Sequence, residues 1–307
     1  MSSTKNIKIG TRDSELATWQ AKQVAKQLEK LGHNTELIFV KSEGDLDLST
    51  PLNEMGGKGV FTKALDDAML KDEIDIAVHS FKDLPTENPL PLKVAAIMER
   101  ADPRDTLVTS GGTDFLHDPD YHAVIATSSN RRKAQWLNRY PHHEITNIRG
   151  NVNTRLEKVQ SKNWDGAIFA AAGLTRIDLG HHIDAYLDWM VPAAAQGAMA
   201  VMVREDDVAM HEIIAKLNHD ETALCTTIER DFLHEMEAGC SAPVGAIANI
   251  DDGDVHFKAV ALTLDGNERF DYEHSVSVGK AGDLGYEAAQ ELLEKGAIKV
   301  IEEMKLQ

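Results

Sequence analysis

Cysteine is nearly absent: the 307-residue chain contains two, Cys225 and Cys240. One disulfide is then the maximum, a cysteine-rich zinc site is excluded, and such usage is expected of a reducing compartment. Long apolar runs are also missing. No stretch approaches the length of a membrane span, and Met1-Ser2-Ser3-Thr4-Lys5-Asn6 leads into a strand pattern without a signal-peptide core, so a soluble, cytoplasmic protein is expected. Positive charge is scarce, with 32 Lys and Arg against 50 Asp and Glu, a formal net charge of -18. That field repels nucleic acid and anionic membrane, so neither is expected as a partner, and any anionic ligand must be held by local charge. There is no internal repeat, low-complexity tract, heptad or leftover apolar stripe, and the expectation is a monomer. His142-His143 and His181-His182 lack helical spacing or a carboxylate partner, so no metal is assigned.

What is present is a globular composition, 42% hydrophobic, in a chain long enough for two or three domains. Residues 7–9 read as a strand, 14–31 as a helix with Leu16, Val24, Leu28 and Leu31 on one face, and 36–40 as a strand. Residues 41–59 are polar and glycine-containing, longer than an ordinary connection, and read as a mobile lid. A helix over 60–70 and a buried strand over 74–79 continue a β/α alternation, which predicts a mainly parallel sheet covered on both faces. The charged, proline-bearing segment 99–105 reads as a hinge, and a second α/β block follows with strands near 124–127, 145–148 and 167–170 and helices over 131–140 and 152–161. A strand at 198–203 is placed to cross back into the first block. A helix over 220–238, strands over 244–250, 255–262 and 269–276, and a helical region over 281–304 predict a small α+β domain. The expected domains are 1–99 with about 198–217, then 100–197, then 218–307.

Arginines collect in polar turns of this acidic chain. Gly10-Thr11-Arg12-Asp13-Ser14 lies between a strand and a helix. Thr127-Ser128-Ser129-Asn130-Arg131-Arg132 follows a buried strand and opens a helix, so hydroxyls, backbone N–H groups and two guanidiniums converge as an anion site. Arg149 and Arg155, on either side of Gly150-Asn151, repeat the device, and arginine suits a planar, bidentate grip on carboxylate or phosphate. Lys82 and Asp83 follow the strand at 74–79, at the carboxyl end where α/β ligand sites lie. His79 beside them reads as a satisfied core histidine and Cys225, inside a helix, as structural. Gly56-Gly57-Lys58-Gly59 fails as a phosphate loop, because no glycine stands five residues before Gly57 and Gly59 replaces the required Ser or Thr. Ala238-Gly239-Cys240 presents a thiol on a glycine-flanked loop just before a strand. With the arginine turns, that thiol suggests a tethered anion.

These segments, with Gly56-Gly57-Lys58-Gly59-Val60-Phe61, residues 75–85, Arg100-Ala101-Asp102-Pro103-Arg104-Asp105, residues 149–156 and Glu237-Ala238-Gly239-Cys240, closely resemble the porphobilinogen deaminase family along essentially the whole chain. The resemblance implies two periplasmic-binding-protein-like α/β lobes around a cleft and a small α+β domain. It further implies a dipyrromethane cofactor in thioether linkage to Cys240, onto which four porphobilinogens are condensed head to tail with loss of ammonia before hydrolysis frees the linear tetrapyrrole. Carried over residue by residue, the cofactor contacts fall on Lys82, Asp83, Thr127, Ser128, Ser129, Arg131, Arg132, Arg149, Arg155 and Cys240. The substrate contacts fall on Arg12, Ser14, Phe61, Arg149, Arg155, Arg176 and Gln196, and Asp83 is the expected catalytic group. One departure from the family pattern is that Ala193-Ala194-Ala195-Gln196-Gly197 lacks a glycine often seen before the glutamine. A two-lobed solute-binding protein explains the arginines but gives Cys240, Asp83 and the third domain no task. A cysteine hydrolase needs a histidine pattern that is missing.

Overall fold

The computed structural model describes residues 6–41, 62–87, 90–237 and 242–305. It divides into two compact units, Met1–Ala101 with Ala198–Ala223, and Asp102–Gly197 with Leu224–Gln307.

The first unit is built on strands β1 (Ile7–Thr11), β2 (Thr35–Phe39), β3 (Ile76–Ser80) and β4 (Leu92–Ile97), with helices α1 (Glu15–Lys30) and α2 (Lys63–Leu70). The second unit opens with β5 (Asp105–Thr109), β6 (Val124–Ala126), α3 (Asn130–Arg139), β7 (Glu144–Thr146), α4 (Val152–Ser161), β8 (Gly166–Ala170), α5 (Ala171–Thr175) and β9 (Ala185–Tyr186). The chain then returns to the first unit as β10 (Met199–Arg204) and α6 (Val208–Ile214). Helix α7 (Asp220–Glu235) leads into β11 (Val244–Asp251), β12 (Asp254–Leu262), β13 (Arg269–Ser277), α8 (Leu284–Leu292) and α9 (Ile298–Lys305).

The two five-stranded sheets share one plan. Their orders are β2-β1-β3-β10-β4 and β7-β6-β8-β5-β9, and in each the first three strands are parallel while the fourth runs against both of its neighbours. The α/β class read from the sequence therefore holds, with mixed rather than mainly parallel sheets. β10 and β5 run against their neighbours, and a period-based reading cannot see strand direction. In the first sheet Ala21, Val24, Ala25 and Leu28 of α1 pack on Ile7, Ile9, Ile76 and Val78. Each fully buried Val, Leu or Ile among them contributes about 1.5–3 kcal/mol.

β11, β12 and β13 form an antiparallel sheet covered by α7 and α8, with Phe232, Phe257, Leu284 and Leu292 in its core. Asp252 and Gly253 at φ 48° and 83° make the tight turn between β11 and β12 that Asp-Gly signals. The helical region expected over 281–304 is instead two helices, broken where Gly296 takes φ 106°. Gly245 of β11 approaches the backbone of residues 191–192 so closely that a Cβ would stand 2.7 Å from the Val191 carbonyl oxygen. Ala246 donates its N–H to the Pro192 carbonyl at 3.0 Å.

Residue 105, expected in a hinge, opens the wholly buried strand β5. Its sequence Asp-Thr-Leu-Val-Thr alternates too little to announce a strand.

Candidate active site

In the first unit β1 and β3 are parallel neighbours, Ile9 opposite Ile76 and Gly10 opposite Ala77, so their carboxyl ends lie side by side. Arg12 and Ser14 follow β1, and Ser14 caps α1 by accepting the Ala17 N–H at 3.3 Å. Lys82 and Asp83 form a single 3-10 turn after β3. Asp83 is exposed and Lys82 half-buried, while Gln20 of α1 ties the two strand ends together by donating to Ser80 Oγ at 2.8 Å. The sequence reads as placing a satisfied histidine here; His79 is buried, but among the described residues its Nε2 has no hydrogen-bond partner. Burial, with the Arg12 charge adding to it, pushes the imidazole down to about 4, so it is neutral at physiological pH.

In the second unit three parallel strands deliver arginine-bearing turns to one edge: β6 leads to 127–132, β7 to 149–155, and β8 through α5 to Arg176. Ser129 caps α3 and accepts the Arg132 N–H at 3.4 Å. Buried Thr127 accepts the Ser129 N–H through its hydroxyl at 3.2 Å. Ser128 Oγ donates to the Ile148 carbonyl at 2.8 Å and accepts the Ile148 N–H at 3.0 Å, locking the first two turns together. The next turn depends on Gly150, whose φ is 112° and whose missing Cβ would stand 2.8 Å from the Thr154 side chain. The Gly150 carbonyl accepts from Arg155 Nε at 2.8 Å, and the Arg149 carbonyl accepts from Lys158 Nζ at 2.9 Å. Asn151 caps α4 through the Thr154 N–H at 2.9 Å.

Arg131 and Arg132 are buried, and both meet Asp105, which is wholly buried. Arg131 Nη1 donates to Asp105 Oδ2 at 2.6 Å and to the Val191 carbonyl at 2.8 Å. Arg132 donates to Asp105 Oδ1 from Nη2 at 2.7 Å and from Nε at 3.0 Å, and from Nη1 to the Ile168 carbonyl at 2.8 Å. Burial alone raises the Asp105 carboxyl, but the two guanidiniums outweigh it and hold the group well below the usual carboxylate range. Burial lowers Arg132, with Asp105 opposing.

Gln196 is also wholly buried and donates from Nε2 to the Pro103 carbonyl at 2.7 Å and to Asp105 Oδ1 at 3.0 Å. Arg176 donates from Nη2 to the Gly197 carbonyl at 2.6 Å, and burial pushes its guanidinium down to about 10. Between them Ala195 takes φ 60°, the left-handed conformation that glycine adopts most readily and that costs a residue with a Cβ. Glu229 Oε2 holds it there, accepting the Ala195 N–H at 2.6 Å, while Oε1 accepts the Ala248 N–H at 2.7 Å.

Cys240, Phe61 and residues 42–59 of the expected lid lie outside the described residues. Sequence reasoning missed Asp105 and Gln135, whose Nε2 donates to the Val191 carbonyl at 2.9 Å and whose Oε1 accepts the Val191 N–H at 2.8 Å. The available signal was an aspartate two residues ahead of an apolar pair, Leu107-Val108, at the end of a charged stretch. Among the described residues no group of three or more His, Cys, Asp or Glu could hold a metal, and no helix is long and apolar enough to cross a membrane.

Two sheets of one strand order, each with cationic side chains in the turns where its parallel strands end, define an α/β protein whose strand-to-helix turns are chemically suited to anions. A family model described as porphobilinogen deaminase, dipyromethane cofactor binding domain matches residues 7–212, and one described as porphobilinogen deaminase, C-terminal domain matches residues 223–294. Relatives named porphobilinogen deaminase include those of Syntrophomonas wolfei, 39% identical with 97% of this chain and 98% of the relative covered, and Pelobacter propionicus, 41% identical with 98% and 97% covered. That of Desulforamulus reducens is 40% identical with 97% and 98% covered. A solved periplasmic VFT2 domain of BvgS from Bordetella pertussis is similar at 16% identity and a TM-score of 0.42, over 73% of this chain and 92% of that one.

The chain belongs to the porphobilinogen deaminase family. It is an enzyme of tetrapyrrole biosynthesis, a transferase with a dipyrromethane cofactor. The residues fit a carboxylate-bearing group, because Arg131, Arg132 and Asp105 together carry one net positive charge that is otherwise costly to bury.

Proposed function

We propose that this chain condenses four porphobilinogen molecules head to tail onto a dipyrromethane held in thioether linkage by Cys240, releasing ammonia at each step and the linear tetrapyrrole by hydrolysis. The observation that carries this reading is the buried arginine pair with a single carboxylate between its members. When bound, the dipyrromethane supplies the pyrrole carbon to which the first substrate is joined. Arg131, Arg132, Lys82, Thr127, Ser128 and Ser129 hold its carboxylates, and Asp83 accepts from its pyrrole N–H groups. Arg12, Ser14, Arg149, Arg155 and Arg176 receive the acetate and propionate groups of incoming units, Phe61 offers its ring to their pyrrole faces, and Gln196, whose Nε2 donates to Pro103 and Asp105, backs this region from the buried side. Several cations suit this task, since an ion pair at about 4 Å gives at most roughly 4 kcal/mol at an effective dielectric of about 20 and lets a ligand shift.

Asp83 is the catalytic group. Its exposed carboxylate accepts from pyrrole N–H groups and offsets the positive charge that develops as ammonia leaves, an interaction stronger in the transition state than in the bound substrate. We read the enzyme as a cytoplasmic monomer, and residues 218–307 as a third domain, a reading supported by the separate family model over 223–294.

The test is the intact mass of the purified full chain. The parent is expected to carry an adduct of two pyrrole units that Cys240→Ser lacks. A parent with the mass of the bare chain, or a Cys240→Ser protein with full adduct, overturns the reading.

A further inference from the structure

Asp105 has no part in the roles given so far, yet it is the acceptor around which the buried cations are arranged. Its two oxygens accept four side-chain hydrogen bonds, one from Arg131, two from Arg132 and one from Gln196. Every donor is a residue assigned above to cofactor or substrate.

Each of these donors is also fixed a second time by a main-chain carbonyl: Arg131 by Val191, Arg132 by Ile168, Gln196 by Pro103. The way the donors are used is unequal. Arg132 spends its Nε and Nη2 on Asp105 and its Nη1 on Ile168. Arg131 spends only Nη1, and its Nε and Nη2 donate to no group among the described residues. The Nε–Nη2 edge of a guanidinium is a fork that matches the two oxygens of a carboxylate. Its side chain is 6% exposed, so that fork is held in a low-dielectric setting where an unpaired charge is costly.

We propose that Asp105 is a positioning residue of the cofactor site: by engaging Nη1 of Arg131 and the Nε–Nη2 edge of Arg132, it reserves the Nε–Nη2 edge of Arg131 as the ligand fork and lowers the charge of the pair from two to one. The pair then grips one carboxylate with balanced charge. Without Asp105 the two guanidiniums repel each other and each is held by a single main-chain carbonyl, about which its free edge can turn. This rests on the reading of Arg131 and Arg132 as cofactor anchors.

The experiment measures cofactor load by intact mass, alongside the thermal midpoint, for full-length D105N, D105E, R131L, R132L and L292A. Leu292→Ala empties part of the wholly buried core beneath the antiparallel sheet and serves as the control for destabilisation alone. The expected result is about a tenfold fall in load for D105N, a similar fall for R131L and R132L, and the parent's load for L292A at a comparable midpoint. Parental load in D105N beside bare R131L and R132L overturns this inference and leaves the reading of the arginines standing. Parental load in all three overturns both. A fall in L292A as large as that in D105N shows that stability alone governs loading and also overturns it. If D105N does not accumulate as folded protein, D105E decides the matter. It keeps the charge but displaces the guanidiniums by one methylene, and less than half the parent's load is expected, whereas the parent's load overturns the proposal.

Discussion

Arg132 and Asp105, 27 residues apart in sequence, meet as a two-point ion pair in which Nε and Nη2 donate to the same oxygen, at 3.0 and 2.7 Å. Both groups are buried, so removing one partner strands the other in a low dielectric. Arg132→Leu is therefore expected to lower unfolding free energy by about 3 kcal/mol, the lower end for a broken buried pair because Arg131 still holds Asp105. Urea unfolding of the parent and variant gives the number, and a change below about 1 kcal/mol counts against a structural share in this arginine's role.

Asp83→Asn is expected to remain folded and cofactor-loaded while losing about 10² to 10³ in kcat, the usual cost of one electrostatic contact made in the transition state. Single-turnover ammonia release reads the chemical step directly. Turnover within a few-fold of the parent, at full load, means another group supplies the carboxylate.

The turn at Gly150 predicts a combined defect. Gly150→Ala places a Cβ against Thr154 at φ 112° and should destabilise by about 1–3 kcal/mol. It should also raise KM, because the Gly150 carbonyl orients Arg155. A variant with parental KM would separate the turn from substrate binding.

His79 gives a pH signature of definite sign. Its folded pKa is about 4 against 6.5 for the free side chain, so below about pH 6.5 the unfolded chain binds a proton that the folded chain refuses. Stability falls as pH drops through that window and levels off near 4, by about 3 kcal/mol at most. Asp66, raised to about 6 chiefly by burial, acts in the opposite direction over part of this range, since folding holds its proton. The difference between parent and His79→Gln isolates the histidine: the variant should lose less stability between pH 7 and 4.5, and equal slopes would contradict the assignment.

Local features of the chain were legible because they are written locally. The capped turns at Ser129 and Asn151, the Asp-Gly hairpin at 252–253 and the helix over 152–161 each follow from neighbours within a few residues. The antiparallel entry of β5 and β10, the burial of Asp105 and the pairing of residue 105 with 131 and 132 depend on contacts across tens of residues, which periodicity does not encode. The same limit made His79 look satisfied. A buried strand predicts burial of the ring, while the partner for its nitrogen would have to come from another element. Site residues in the arginine turns could be placed on the sheet edges from sequence, but not how much of each guanidinium the protein itself already occupies.

The Val191 carbonyl accepts from both Arg131 and Gln135 while Gly245 lies against it, so a main-chain atom of an unremarkable loop is shared by the anion site and the antiparallel sheet. For anyone re-engineering the enzyme to accept pyrroles with other side groups, this makes positions 105, 131, 132, 135, 196 and 245 one combinatorial block. Single-site libraries there will return losses that do not add, and improved combinations will surface only when the block is varied together.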